Sequence, residues 1–120
     1  MEAVLRRLDG RGEFALAVTE YEERNFGLVD VIHPGCSKGA ALRELARMRG
    51  YARDEVMAIG DNLNDKEMLE FAGVPVVMAN SVPGLKGLGW AETGTNDEAG
   101  VAAAIERYAL EPPMNADGRR

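Results

Sequence analysis

The chain has little of what most often carries reactive or cross-linking chemistry: among its 120 residues there is one cysteine, one histidine and one tryptophan. Cys36 alone cannot close an intrachain disulfide, a usage that suits a reducing compartment. Thiol catalysis would have to pair Cys36 with His33, the single histidine, which has no carboxylate cluster beside it and reads as structural. Long apolar runs are absent as well: the longest, Val74 to Ala79, falls far short of the ~20 residues that cross a bilayer. Met1 to Arg7 lacks the apolar stretch of a signal peptide, so a cytoplasmic protein without a membrane partner is expected. Basic charge is also short, with 14 Lys and Arg against 20 Asp and Glu for a net charge of −6, and no basic cluster offers a face to a nucleic acid.

What is present is a patterned small chain, long enough to bury roughly two-thirds of its unfolded surface without a staple. From Glu13 to Thr19, Phe14, Leu16 and Val18 alternate with smaller residues, the period of a strand. Gly27 to Ile32 reads as a second strand, and the polar Tyr21–Asn25 connection makes the two an antiparallel pair. Ser37 then offers a helix cap, and apolar residues at helical spacing predict a helix over 38–49 closed by Gly50. Val56–Ile59 is a short apolar run suited to a buried parallel strand, Asp65–Phe71 a short helix, and Val74–Met78 another buried strand whose Pro75 leaves its first residues unpartnered. Ser81–Pro83 starts one helical turn. A last helix is expected over 98–110, with Val101, Ala104, Ile105 and Tyr108 on one face, followed by a disordered tail over 111–120. Met48, Met57, Met68 and Met78 lie in apolar runs and are expected to fill core gaps. An antiparallel piece followed by alternating helix and strand is an α/β chain.

The most informative run is Gly60-Asp61-Asn62-Leu63-Asn64-Asp65, directly after the first buried strand. In open α/β sheets ligands gather beyond the carboxyl ends of strands. Two carboxylates there suit a hard cation such as Mg²⁺, which keeps waters that a phosphate can replace. The plainer alternative is that Asp61 and Asn62 form a turn and Asn64 or Asp65 caps the next helix. Lys38 is the second informative residue, because a cation in a helix's first turn opposes the helix dipole unless an anion binds beside it. Gly39 next to it would let a ligand approach the backbone. The alternative is a solvated surface lysine. Gly35-Cys36-Ser37-Lys38-Gly39 is not a nucleotide-binding P-loop, since neither Gly before nor Ser or Thr after the lysine is present.

Together, Ser37-Lys38-Gly39 with Ala41-Leu42, and Glu55-Val56-Met57-Ala58-Ile59-Gly60-Asp61-Asn62-Leu63-Asn64-Asp65 with Glu67-Met68-Leu69, resemble the third and fourth motifs of the haloacid dehalogenase superfamily, in its Cof-like sugar-phosphate phosphatase branch. The likeness runs on through Ala72-Gly73, Val76–Asn80 and Asn96–Val101, covering about 34–108. It implies a Rossmann-like core in which Lys38 neutralises the nucleophile and the transferring phosphoryl group, Asp61 binds Mg²⁺, Asp65 supports the metal shell and Asn64 contacts phosphate. The implied reaction is phosphoryl transfer to an aspartate followed by hydrolysis of a small phosphorylated substrate.

The family's first motif, Asp-x-Asp-Gly-Thr or Ser, does not occur: Leu8-Asp9-Gly10 is the nearest echo, with Arg7 where the first aspartate belongs. Its second motif, a Ser or Thr after an upstream strand, is missing too. The expected organisation is therefore the end of a cap domain over 1–33, the C-terminal half of a core over 34–110 and a tail over 111–120. In the family the nucleophile strand lies beside the strand ending at Asp61, so an open edge is expected there, able to pair with a second copy or a complementing chain. Two functions follow: part of a Mg²⁺-dependent phosphatase that is inactive alone, or a non-catalytic remnant that binds Mg²⁺ and phosphate or serves as an interaction module.

Overall fold

A computed structural model describes residues 14–110 together with Ala3, Arg6 and Arg7. Two strands open it, β1 (Ala15–Tyr21) and β2 (Phe26–Ile32), paired antiparallel from Ala15↔Ile32 to Tyr21↔Phe26. The strand alternation continues two residues beyond Thr19 because pairing extends to the stacked rings of Tyr21 and Phe26, 4.9 Å apart. A 3-10 turn over Glu22–Arg24 and Asn25 at φ 51°, a left-handed conformation that Asn tolerates, reverse the chain.

Helix α1 (Lys38–Arg49) has the expected bounds. The Ser37 hydroxyl oxygen accepts the Ala40 N–H at 2.9 Å, and Gly50 closes the helix at φ 73°. Strand β3 (Met57–Gly60) leads through a 3-10 turn over Leu63–Asp65 into α2 (Lys66–Phe71) and then β4 (Val74–Met78). After a 3-10 turn over Pro83–Leu85 comes β5 (Ala91–Thr93), a strand absent from the sequence-based expectation. Its three residues carry no apolar run, and pairing with β4 creates it. The order β3-β4-β5 is parallel throughout, giving the expected α/β architecture beside the antiparallel pair. Val74 donates to the Val56 carbonyl at 3.0 Å, so β4 is partnered with β3 from its first residue; only its β5 side is open at Pro75, where pairing begins at Val76.

The core lies between the sheet and the elements around it. Ala58, Leu69, Ala72, Val77, Val82 and Leu85 form one cluster, with Leu42, Val56, Leu63, Met68 and Trp90 packed against it. Met48 is not part of it: it is 68% exposed, unlike the buried Met78. The expected last helix starts two residues late. A 3-10 turn over Asn96–Glu98 and Ala99 at φ 56° precede α3 (Gly100–Ile105), which widens into a π turn over Glu106–Leu110. Only Gly100 and Ala104 of α3 are buried, whereas Val101 and Ile105 face solvent. The tail over 111–120 and the segment around Asp9 lie outside the described residues.

Candidate functional site

The site grows from the carboxyl end of β3. Gly60 ends the strand where a Cβ would lie 2.6 Å from that of Asp65, so only glycine lets the returning loop close so tightly. Asn62, extended at φ −139°, starts the next turn, its Oδ1 accepting the Leu63 N–H at 2.8 Å.

Asp65 organises that loop from within. It is 5% exposed, and its Oδ2 accepts the N–H groups of Asp61 at 3.0 Å and Asn62 at 3.3 Å. Its Oδ1 accepts Lys38 Nζ at 2.5 Å. A buried carboxylate is thus matched by a cation and two backbone donors, which offset its desolvation. The lysine side chain stays 52% exposed, so solvent screens the pair and the bond acts mainly as a positional tether. The same contact supplies an anion near the start of α1, where Lys38 opposes the helix dipole.

The beginnings of α1 and α2 are held together around this tether. Ser37 donates its hydroxyl to Glu67, and a Cβ on Gly39 would lie 2.6 Å from the Glu67 Cβ. Gly39 therefore serves the contact between helices rather than the approach of a ligand. His33 builds the preceding turn: its Nδ1 accepts the Gly35 N–H at 3.0 Å and its carbonyl the Cys36 N–H at 2.8 Å. Cys36 is exposed.

Three of the four candidate residues open into two spaces. Lys38 and Asn64 line a groove of about 650 Å³ between β1 and the starts of α1 and α2. Asp61 lines a smaller cavity of about 280 Å³, shared with Asn62, Asn80 and the tip of the hairpin. Asp65 stands behind both, its oxygens turned to the loop and to Lys38. Asp61 is exposed, and among the described residues its carboxylate makes no hydrogen bond or ion pair. The sequence reading treated Asn62 as part of a turn and gave Asn80 no role at the site. In the structure Asn62 bonds to Glu20, and Asn80 accepts the Asn96 N–H at 2.9 Å beside the Asp61 cavity. The Asn before a short helix was the available signal for Asn62. Farther away, the Glu98 carboxyl is held below its ordinary range, chiefly by the Thr95 backbone N–H that it accepts.

A hard cation fits part of this arrangement. Asp61 offers a free carboxylate in a cavity that Asn62, Asn80, Glu20, Glu23 and Arg24 also line, and carboxylate oxygen is the chemistry that Mg²⁺ prefers while retaining waters. No set of three or more His, Cys, Asp or Glu that could enclose a metal exists among the described residues.

A family profile described as haloacid dehalogenase-like hydrolase matches residues 8–105. The chain belongs to that family, in its Cof-like branch. Among its haloacid dehalogenase-like relatives, a putative phosphatase of Bacillus subtilis, YxeH, is 44% identical over 81 residues, which are 68% of this chain and 30% of the relative. The 5-amino-6-(5-phospho-D-ribitylamino)uracil phosphatase YitU of the same organism is 37% identical over a stretch of equal length and coverage. The solved structure of a haloacid dehalogenase-like hydrolase from B. subtilis superposes with a TM-score of 0.78 at 36% identity, covering 91% of this chain and 36% of that one. The matched region thus spans under a third of these curated relatives' length. No helix among the described residues is long and apolar enough to cross a membrane.

Proposed function

We propose that this chain is the C-terminal part of a Mg²⁺-dependent haloacid dehalogenase-like phosphatase that hydrolyses small phosphate monoesters such as sugar phosphates in the cytoplasm, and that it is catalytically incomplete alone. The observation that carries the reading is the tether of Lys38 to the buried Asp65, whose other oxygen shapes the loop presenting Asp61. A lysine tethered to the loop that follows a parallel strand and presents an unpaired carboxylate is suited to phosphoryl charge. In this reading Lys38 offers its ammonium to the phosphoryl oxygens, Asn64 contacts phosphate in the same groove, and Asp61, with Asp65 supporting the loop, holds the cation. Bound Mg²⁺ supplies charge neutralisation and orientation. Residues 1–33 then belong to the end of a cap and 34–110 to half of a core.

Transfer to an aspartate needs that aspartate, and no Asp-x-Asp-Gly sequence exists in the 120 residues. We expect Mg²⁺ and inorganic phosphate to bind weakly, seen as amide resonance shifts around Asp61 and Lys38, with negligible turnover of p-nitrophenyl phosphate. Asp61→Ala removes the Mg²⁺ response. Mg²⁺-dependent turnover that disappears in Asp61→Ala would overturn the incompleteness.

A second reading, an interaction module without catalysis, is favoured by β3, which among the described residues is paired on one side only. The open edge suits a second copy or a complementing chain. Absence of any Mg²⁺ or phosphate response would favour this module, and a strictly monomeric mass by light scattering across concentrations would exclude self-association through the edge.

A further inference from the structure

Asn62 grips the hairpin as a neighbouring strand would. Its Oδ1 accepts the Glu20 N–H at 2.9 Å and its Nδ2 donates to the Glu20 carbonyl at 2.8 Å, across 42 positions of sequence. Both peptide groups of Glu20 therefore point away from β2, which makes Glu20↔Gly27 a non-hydrogen-bonded pair of the ladder. One carboxamide closes the outer edge of β1 at this point, and the same Oδ1 starts the turn that carries Asp65 by accepting the Leu63 N–H.

The consequence falls on the cavity beside Asp61. One of its walls comes from the α/β unit through Asn80 and Val82, and the other from the hairpin tip through Tyr21, Glu23 and Arg24. Neither β1 nor β2 has a fully buried residue to hold that wall in place. Two bonds made in both directions at the tip end of β1 restrain it where the cavity needs it.

We propose that Asn62 is a positioning residue that latches the β1–β2 hairpin to the loop of Asp61, making the hairpin tip the outer wall of the pocket beside that carboxylate. Its expected response to Mg²⁺ rests on Asp61 being a cation ligand; the latch itself does not.

Asn62→Ser separates the latch from the turn, because Ser caps a helical start about as well as Asn yet is too short to reach the peptide of Glu20. Amide hydrogen exchange on the whole chain is the first readout. In Asn62→Ser, the Glu20 amide is expected to exchange about tenfold faster, while Leu63 and Asp65 keep their protection. In Asn62→Ala both sets lose protection. Unchanged protection of Glu20 in Asn62→Ser, or equal loss at Leu63 and Asp65, would overturn the proposal. The second readout is Mg²⁺ alone, followed by amide resonances. Shifts at Asp61, Glu23 and Arg24 are expected in the wild-type chain, and at Asp61 only in Asn62→Ser. An undiminished response of Glu23 and Arg24 in that variant would also overturn the proposal. If Mg²⁺ moves no resonance in the wild-type chain, Asp61 is not a cation ligand, and the exchange pattern still decides the latch.

Discussion

In the α/β unit Leu69 and Val76 are fully buried, whereas in the hairpin Phe26, Leu28 and Val31 are 47 to 55% exposed. Both regions are rich in apolar residues and differ in what those residues meet. Leu69 sits among Ala58, Ala72, Val77, Val82 and Leu85, so its removal leaves a hole that five neighbours share. The hairpin is held by its ladder, by one ring stack, by the half-buried β1 against the Leu63–Asp65 turn and by the grip of Asn62 on Glu20. Asp61 stands where the two regions meet, supported by the packed side and walled by the lightly held one. A site so placed has a rigid carboxylate position and an adjustable surround.

The largest test of that contrast is Leu69→Ala, expected to cost about 2–5 kcal/mol in urea denaturation. That is a large share of the roughly 5–15 kcal/mol a small domain has. A loss below about 1 kcal/mol would mean that the cluster is not the seat of stability. Asp65→Asn comes next, at about 1–3 kcal/mol, because an amide oxygen replaces a charged acceptor of two N–H groups and Lys38 loses its partner. Exchange at the Asp61 and Asn62 amides should rise with it; a rise confined to the hairpin would break the assignment of Asp65 to the loop. The smallest effect is expected from Phe26→Ala, about 0.5–1.5 kcal/mol for the lost stack on Tyr21. It should appear as faster exchange of hairpin amides with α/β amides unchanged. If Phe26→Ala weakened the whole chain as much as Leu69→Ala, the two regions would be one cooperative unit.

Local signals were readable where the physical cause was local. Helix α1 carried both of its ends in its sequence, Ser37 as acceptor for an early N–H and Gly50 for a left-handed close. The run from Gly60 to Asp65 announced a loop after a buried strand, and it is one. Strand β5 was not readable, since Ala91-Glu92-Thr93 has neither length nor an apolar run and exists through its neighbour Val76–Met78. The late start of α3, after Ala99, was hidden for a related reason. Alanine favours helix, and its φ of 56° is imposed by the turn from Thr95 to Gly100, where Gly100 donates to the Thr95 carbonyl at 3.0 Å.

By itself the sequence determined the α/β character, the ends of α1, the family and the set of residues from which a phosphate site could be drawn, because caps, apolar periods and motif spacing act over a few neighbouring residues. Tertiary structure alone decided what each polar group does. Asp65 turns both oxygens inward to Lys38 and to the loop, and Asp61 is left open. Asn62 bonds to a residue 42 positions away. Hydrogen-bond partners depend on which groups the fold brings within about 3 Å, and chain-distant proximity is not written in any local pattern.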